Sequence, residues 1–462
     1  MSILARRRAL LVPKKELVLP PSSTYLPAKP TPPPFNPTTA VQITAGQNVA
    51  SIVAAGAAGT QYRLLAGAHN INDVQPKTGD YIRGDDKASV TASGAGKNFA
   101  FRAPSGGADD VTIGGINLTG YGVVSYDTSQ QYGAIMCQPS VWSYASQSGW
   151  FVHDMILHAN GGGGVYMGHH MTVIDSEITG HNVCGIQGDG GVGGLIGWNY
   201  IRGNTLNPAG GSSANGAAVK LVWWNGGTGR SIGSNGVPAP ARCWIVMNDV
   251  DGSPLGSTAP GQFGLWGDLD CHDMWVNYNT LRNFVGFGIF FEGSNDCKGM
   301  HNTLVDCTGY GENNGDAAWN SLDFKNAALS AGESSNIEYG YNHLTNAGHA
   351  FMIRLSDRND FDDFNYIQNG HIVDSWAAIA PSAQSNLGVN AYHYHHNTHV
   401  NCGKGGQSIA APGTKNPPSG TYLTNANTAT HSFHDNIGLE NMQLWRDQQK
   451  LTHAQWLAAG WS

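Results

Sequence analysis

The chain is poor in charge: only 13% of its 462 residues are Asp, Glu, Lys or Arg. That scarcity argues against a helical protein, whose solvated faces need many more. No apolar run approaches the length of a membrane-spanning helix. The seven cysteines are odd in number and form no C-x-x-C pair. Cys137, Cys184, Cys243, Cys271, Cys297, Cys307 and Cys402 lie scattered beside strand-type residues. They read as small buried hydrophobes, which implies assembly in a reducing compartment. A P-loop, a dinucleotide fingerprint and a Gly-x-Ser-x-Gly elbow are all missing. Gly161–Gly164 is a four-glycine turn rather than a phosphate cradle, because no lysine or helix start follows.

Glycine, by contrast, is abundant at 62 residues, and one short phrase recurs: apolar, polar, Asn, any residue, apolar. The Asn column runs through Asn199, Asn248, Asn279, Asn302, Asn342 and Asn365, continuing to Asn397 and Asn436. Upstream, Asp154 and Ser176 take the same slot. Asp154 to Ser176 is 22 residues; Ser176 to Asn199, Asn279 to Asn302 and Asn342 to Asn365 are 23 each. A period in the low twenties, with β-type residues and glycine turns, means stacked solenoid coils; the longer steps are coils carrying insertions. Stacking brings like positions about 4.8 Å apart. A column of amides then bonds from coil to coil, and Asn tolerates the left-handed backbone of a tight turn. The column is therefore structural.

A second strand follows each Asn phrase: Gly185–Asp189, Ala218–Val222, Gly264–Asp268, Gly288–Glu292, Ser321–Lys325 and Ala350–Arg354. Its second and fourth residues point inward and its third and fifth outward. The ends differ from the coils. Residues 1–40 carry Arg6, Arg7, Arg8, Lys14, Lys15 and Lys29 against Glu16, a net +5, while the whole chain is −8 and the remainder −13. The apolar stretch Ala9–Val12 is too short for a secretion signal. Pro20 to Pro37 is proline-rich and should lie extended, near polyproline II. It reads as a disordered leader or as an anchor arm ordering against a partner chain; the apolar pegs Leu11, Val12, Leu17, Val18, Leu19 and Tyr25 favour the arm. Residues 41–110 form an N-terminal cap and first coils, with a short helix from Asn48 to Gly56 that blunts the open sheet edge. Residues 111–438 are the solenoid proper, and 439–462 a C-terminal cap with Thr452 capping a short helix.

These Asn phrases, the Gly-Ile-x-Phe strands and the front helix resemble the right-handed parallel β-helix superfamily of pectate lyases and phage tailspikes. The closing Thr452-x-x-x-Trp456-x-x-x-Gly460 phrase is similar to the tail end of several bacterial and phage β-helix proteins. The resemblance covers about residues 45 to 462 and implies an all-β, single-stranded right-handed parallel β-helix with helical caps and an extended N-terminal arm. The basic leader looks more like that of a phage virion protein than of a secreted enzyme. The expectation is thus a spike or capsid decoration on the surface of a tailed-phage virion, assembled in the bacterial cytoplasm. Residues 1–40, with Arg6, Arg7, Arg8, Lys14 and Lys15, would anchor it to other virion proteins, and host polysaccharide is a second partner. The resemblance implies a homotrimer; neither nucleic acid nor membrane is expected as a partner.

The alternative is a polysaccharide lyase or glycoside hydrolase using the outward slots. With coils in register, Asp268 and Glu292 sit on neighbouring rungs, about 5 Å apart, the separation of nucleophile and acid/base in a retaining glycosidase. Lys325 and Arg354 follow as cations for an acidic sugar. Trp266, Phe290 and Asp323 line the same face as substrate contacts, the aromatics stacking on sugar rings. The bland reading is a solvated sheet face on which acids and bases balance. Histidines 393, 395 and 399 share strand parity around Asn397, yet no Cys or carboxylate lies close in sequence to complete a ligand set. No metal and no cofactor is therefore expected.

Overall fold

The computed structural model describes residues 23–458, apart from 95–96, 123–132, 140–146, 205–215, 223, 225–241, 255–262, 269–270, 293, 295, 308–326, 333, 335, 356–365, 369–370, 374–391, 410–431 and 447–448. Short strands stack into three long sheets of 13, 11 and 12 strands, parallel throughout except for one antiparallel pair at the end of the third. Each coil visits the sheets in turn. Thr172–Ile174 lies in sheet I, Glu177–Thr179 in sheet II and Ile186–Asp189 in sheet III; Leu195–Gly197 then returns to sheet I. This is the expected right-handed parallel β-helix.

The inward column of sheet I reads Ile82, Ile113, Val152, Val173, Ile196, Ile245 and Val276 on successive strands, all buried. β-Branched residues suit this slot because their stiff side chains stack well on a pleated, close-packed surface. At Gly299 the ring of Tyr339 from the next coil fills the space; an added Cβ would meet it at 2.7 Å. Every described cysteine is buried in or beside this core, as read from the sequence.

The asparagine ladder is present at the corner between sheets I and II. Asn199, Asn248, Asn279, Asn302, Asn342, Asn397 and Asn436 bond in sequence, each Nδ2 donating to the next Oδ1 at 2.9–3.1 Å. The same Oδ1 accepts the backbone N–H of the preceding asparagine. One residue before each rung the chain is left-handed, as at Trp198, Met247, Tyr278, His301, Tyr341, His396 and Asp435. Two sequence assignments are corrected here. Asn342 bonds directly to Asn397, so the described ladder passes from one to the other, and Asn365 lies outside the described residues; Tyr366–Gln368 pairs antiparallel with His371–Val373 in a separate two-stranded sheet. Asp154 is also one residue out of slot. It aligns with left-handed Asp175, and Leu157, not Ile156, faces Ile178. A slip of one exchanges the faces of a strand.

The described part of the proline-rich arm opens with a 3-10 turn at Ser23–Tyr25, which the sequence reading did not expect, then runs extended, as expected, and it lies on its own solenoid. Tyr25 packs against Trp275 and His301, and its carbonyl accepts from Asn277 Nδ2 at 2.9 Å. Lys29 pairs with Asp175 at 2.6 Å, Phe35 meets Tyr81, and Asn36 N–H donates to Gln61 at 2.7 Å. The arm thus crosses the outer face of sheet I from the strand of Trp275 to that of Gln61, seven strand spacings away. Seven spacings are about 34 Å. The eleven steps from Tyr25 to Asn36 at polyproline II rise are also about 34 Å. The anchoring residues Arg6, Arg7, Arg8, Lys14 and Lys15 lie outside the described residues. Both expected cap helices are present. Val49–Ala55 is capped by Asn48, which accepts from Ser51 N–H at 3.1 Å. His453–Ala458 is closed by a reciprocal Thr452–Gln455 capping box.

Candidate functional site

From Thr112 onward, every connection from sheet I to sheet II is two residues long. The ladder forbids more, since each rung must meet the next. All long connections therefore enter or leave sheet III: residues 120–132, 137–150, 203–218, 223–242, 252–264, 308–328, 356–391 and 410–431. Long loops held by a rigid scaffold are where recognition and chemistry concentrate. The outer face of sheet III is accordingly the candidate site.

Two outward columns run along it. One reads Tyr166, Gln187, Lys220, Trp266, Phe290 and Ser330; the other Asp189, Val222, Asp268, Glu292, Gly332 and Arg354. The expected juxtaposition of Asp268 and Glu292 is present: they are direct partners on adjacent parallel strands. Strand spacing puts their Cα atoms about 4.8 Å apart. The expected exposure is not. Asp268 is 6% exposed and Glu292 3%, so this face is no solvated charge ladder.

The next rung corrects the sequence reading. Glu292 pairs with Gly332 of Leu329–Gly332, not with a strand at Ser321–Lys325. Lys325 and Asp323 lie outside the described residues. Arg354 holds its expected place in the column by backbone register, opposite Gly332. Trp266 and Phe290, expected as open sugar platforms, are 1% and 0% exposed. They pack with Phe263, Phe287 and Ala217 into a second apolar cluster outside the main core. Phe263 and Phe287 belong to the connections from sheet II, so loop residues seal the aromatic faces.

The residue missed from sequence is Lys220. Its Nζ lies 2.9 Å from Asp268 Oδ2 and 3.6 Å from the centre of the Trp266 ring. Both partners of the ion pair are nearly buried. A signal was available: Lys220 occupies an outward slot one coil before Asp268, diagonal to it. A close ammonium favours the ionised form of a carboxylate, and a ring face strengthens the hold on the cation. The arrangement supplies one carboxylate fixed by a cation, a second carboxylate beside it, and an apolar wall. The histidines once weighed together part company. His399 turns into the core, bonded to Tyr394 Oη at 2.7 Å, while His393 and His395 lie on the outer face of sheet I.

No family model matches the chain, and no curated protein matches it. Solved structures of similar architecture do exist. A PL6-family polysaccharide lyase from Pseudopedobacter saltans is 11% identical over 88% of this chain and 93% of its own, with a TM-score of 0.49. The catalytic domain of a GH87 α-1,3-glucanase is 12% identical over 89% and 70%, with a TM-score of 0.42. An alginate lyase from Paenibacillus sp. str. FPU-7 is 13% identical over 83% and 97%, with a TM-score of 0.34.

Proposed function

We propose that the chain is a polysaccharide-cleaving enzyme, a glycoside hydrolase or lyase, with Asp268 and Glu292 as its paired carboxylates. The observation that supports this is their register. Like charges directly opposite on a sheet are destabilising, and burial raises the cost. Here two acids occupy consecutive strands, both withdrawn from water, on the sheet that all long connections flank.

Their spacing suits a retaining hydrolase. The Lys220 ammonium 2.9 Å from Asp268 fits that carboxylate for attack on the anomeric carbon. Glu292 then gives its proton to the departing glycosidic oxygen, and later takes one from the water that releases the sugar. On a uronate-bearing glycan the same cation, with Arg354, would balance the acidic sugar and favour elimination. The product distinguishes the two chemistries: hydrolysis yields a saturated reducing end, elimination an unsaturated sugar that absorbs in the ultraviolet. Glu292→Gln is expected to abolish depolymerisation without shifting thermal unfolding. Unchanged turnover of every capsular and cell-wall glycan by both Asp268→Asn and Glu292→Gln would sink the proposal.

A place on a virion is a companion proposal, supported by the +5 leader beside a −13 body. Such a leader favours docking onto an acidic surface. Removing residues 1–22 should then prevent incorporation into particles while the coils stay folded; undiminished incorporation refutes it. A homotrimer follows only from the family resemblance, and sedimentation of the purified chain decides it.

A further inference from the structure

Coil stacking completes a cluster that sequence distance conceals. His395 and His396 precede rung Asn397; His434 and Asp435 precede rung Asn436 on the next coil. The ladder therefore sets His396 beside Asp435, both in left-handed turn positions. His434 Nδ1 is 2.9 Å from Asp435 Oδ2, and His396 Nε2 is 3.6 Å from the same oxygen. Ligand atoms of His396, His434 and Asp435 all lie within 4.8 Å of one another.

Side-chain contacts fix the rings from behind. Glu338 accepts from Lys298 and lies 3.1 Å from His395 Nε2. His395 Nδ1 lies 3.0 Å from His396 Nδ1, which leaves His396 Nε2 as the nitrogen turned to Asp435. Asp435 Oδ2 is shared by His434 Nδ1 and His396 Nε2. On the other side the His396 ring is steadied by stacking on Tyr341 at 4.7 Å.

We infer that His396, His434 and Asp435 form a site for a divalent transition metal of the zinc type. Tetrahedral zinc with nitrogen and oxygen at about 2.0–2.2 Å places its ligands about 3.4 Å apart. The distances of 2.9 and 3.6 Å bracket that value. Two imidazoles and one carboxylate suit zinc rather than calcium or magnesium, which take oxygens. The relay Lys298–Glu338–His395 supplies the outer support that orients a ligating histidine. A solvent molecule takes the fourth position, since all three ligands are at the surface. The bound ion would join the last two coils of sheet I beside the Asn397–Asn436 rung and the pairing of their strands.

The test is titration of zinc sulfate into the chelator-treated full chain, read by calorimetry and by the thermal unfolding midpoint. One equivalent should bind, with a concentration-dependent rise in the midpoint. Asp435→Asn and His396→Gln, both surface changes, should each weaken binding at least tenfold and remove the rise. His395→Phe should weaken it about 10–100-fold, as outer-shell changes do. His158→Gln, on a distant coil, should change nothing. Zinc uptake that is absent, or that Asp435→Asn and His396→Gln leave intact, overturns the assignment; the latter outcome means scattered binding among the 18 histidines.

Discussion

Asn302→Ala is the sharpest perturbation of the fold. Asn302 Oδ1 accepts the backbone N–H of Asn279 at 2.9 Å and its Nδ2 at 3.1 Å; Asn302 Nδ2 donates to the Val276 carbonyl at 2.7 Å. Alanine removes both roles in a place water does not reach, since Asn279 and Val276 are buried. Each buried polar group left without its partner costs about 1–3 kcal/mol. Two backbone groups then give about 2–6 kcal/mol, with about 4 kcal/mol as the central expectation. Since contacts in a solenoid run mainly between neighbouring coils, the loss should appear first around the coils of Asn279 and Asn342. Hydrogen exchange of the Asn279 amide reads it directly: about 4 kcal/mol corresponds to nearly a thousandfold faster exchange from locally opened states. Asn441→Ala is the control, because among the described residues that exposed side chain bonds only its neighbour Glu440, and it should shift stability by less than about 0.5 kcal/mol. Exchange at Asn279 within threefold of the parent, with an unfolding free energy changed by under about 1 kcal/mol, would show that the amide column merely accompanies the coils.

Three further outcomes follow from particular contacts. Lys220→Met should cost about 3–5 kcal/mol by stranding Asp268, and Lys220→Met with Asp268→Leu should recover much of it, measured by denaturant unfolding; equal losses in the single and double variants would refute the pairing. Burial holds His153, His301 and His399 down at about 4 and His181 at about 3, against an ordinary value of 6.5. Their folded values lie below their unfolded ones, so the unfolded chain binds more protons in between. The stability they confer is complete above about pH 6.5 and is lost as pH falls toward 4 and then 3; His181→Gln should flatten that slope, and an unchanged slope would contradict the cause given. Tyr25→Ala should release the arm's end from Trp275, red-shifting tryptophan emission at a cost of about 0.5–1.5 kcal/mol; no spectral change would mean the arm is not held there.

The coil architecture was legible because its cause is local and repeated. A two-residue turn with Asn in second place leaves the same mark each time, and inward slots such as Val173, Ile196 and Ile245 must be apolar. Errors arose where the mark is ambiguous. Ser321–Lys325 carries Leu322 and Phe324 and outbids Ala328–Gly332, yet the small residues of the latter make the strand. Asn365 sits 23 residues after Asn342, but the amide that Asn342 meets is Asn397, 55 residues on, so spacing alone does not pick out the next rung. Asp268 and Glu292 were found because they belong to the repeating phrase itself. Their burial was not, since outward direction in a strand says nothing about what a loop lays over it. Asp435 was missed as a companion of His396 because 39 residues of chain separate them, and only closure of a whole coil removes that distance.

The fixed two-residue corner has an engineering consequence. Because the amide spine tolerates no lengthening, variation in this molecule is confined to the other two edges of its triangular cross-section. Exchanging residues 223–242 or 410–431 for unrelated segments of similar length should leave the spine's spacing untouched, whereas one residue inserted between Asn277 and Thr280 would displace Asn279 from its bonds to Asn248 and Asn302. The corner works as a ruler, and grafts belong on the sides it does not measure.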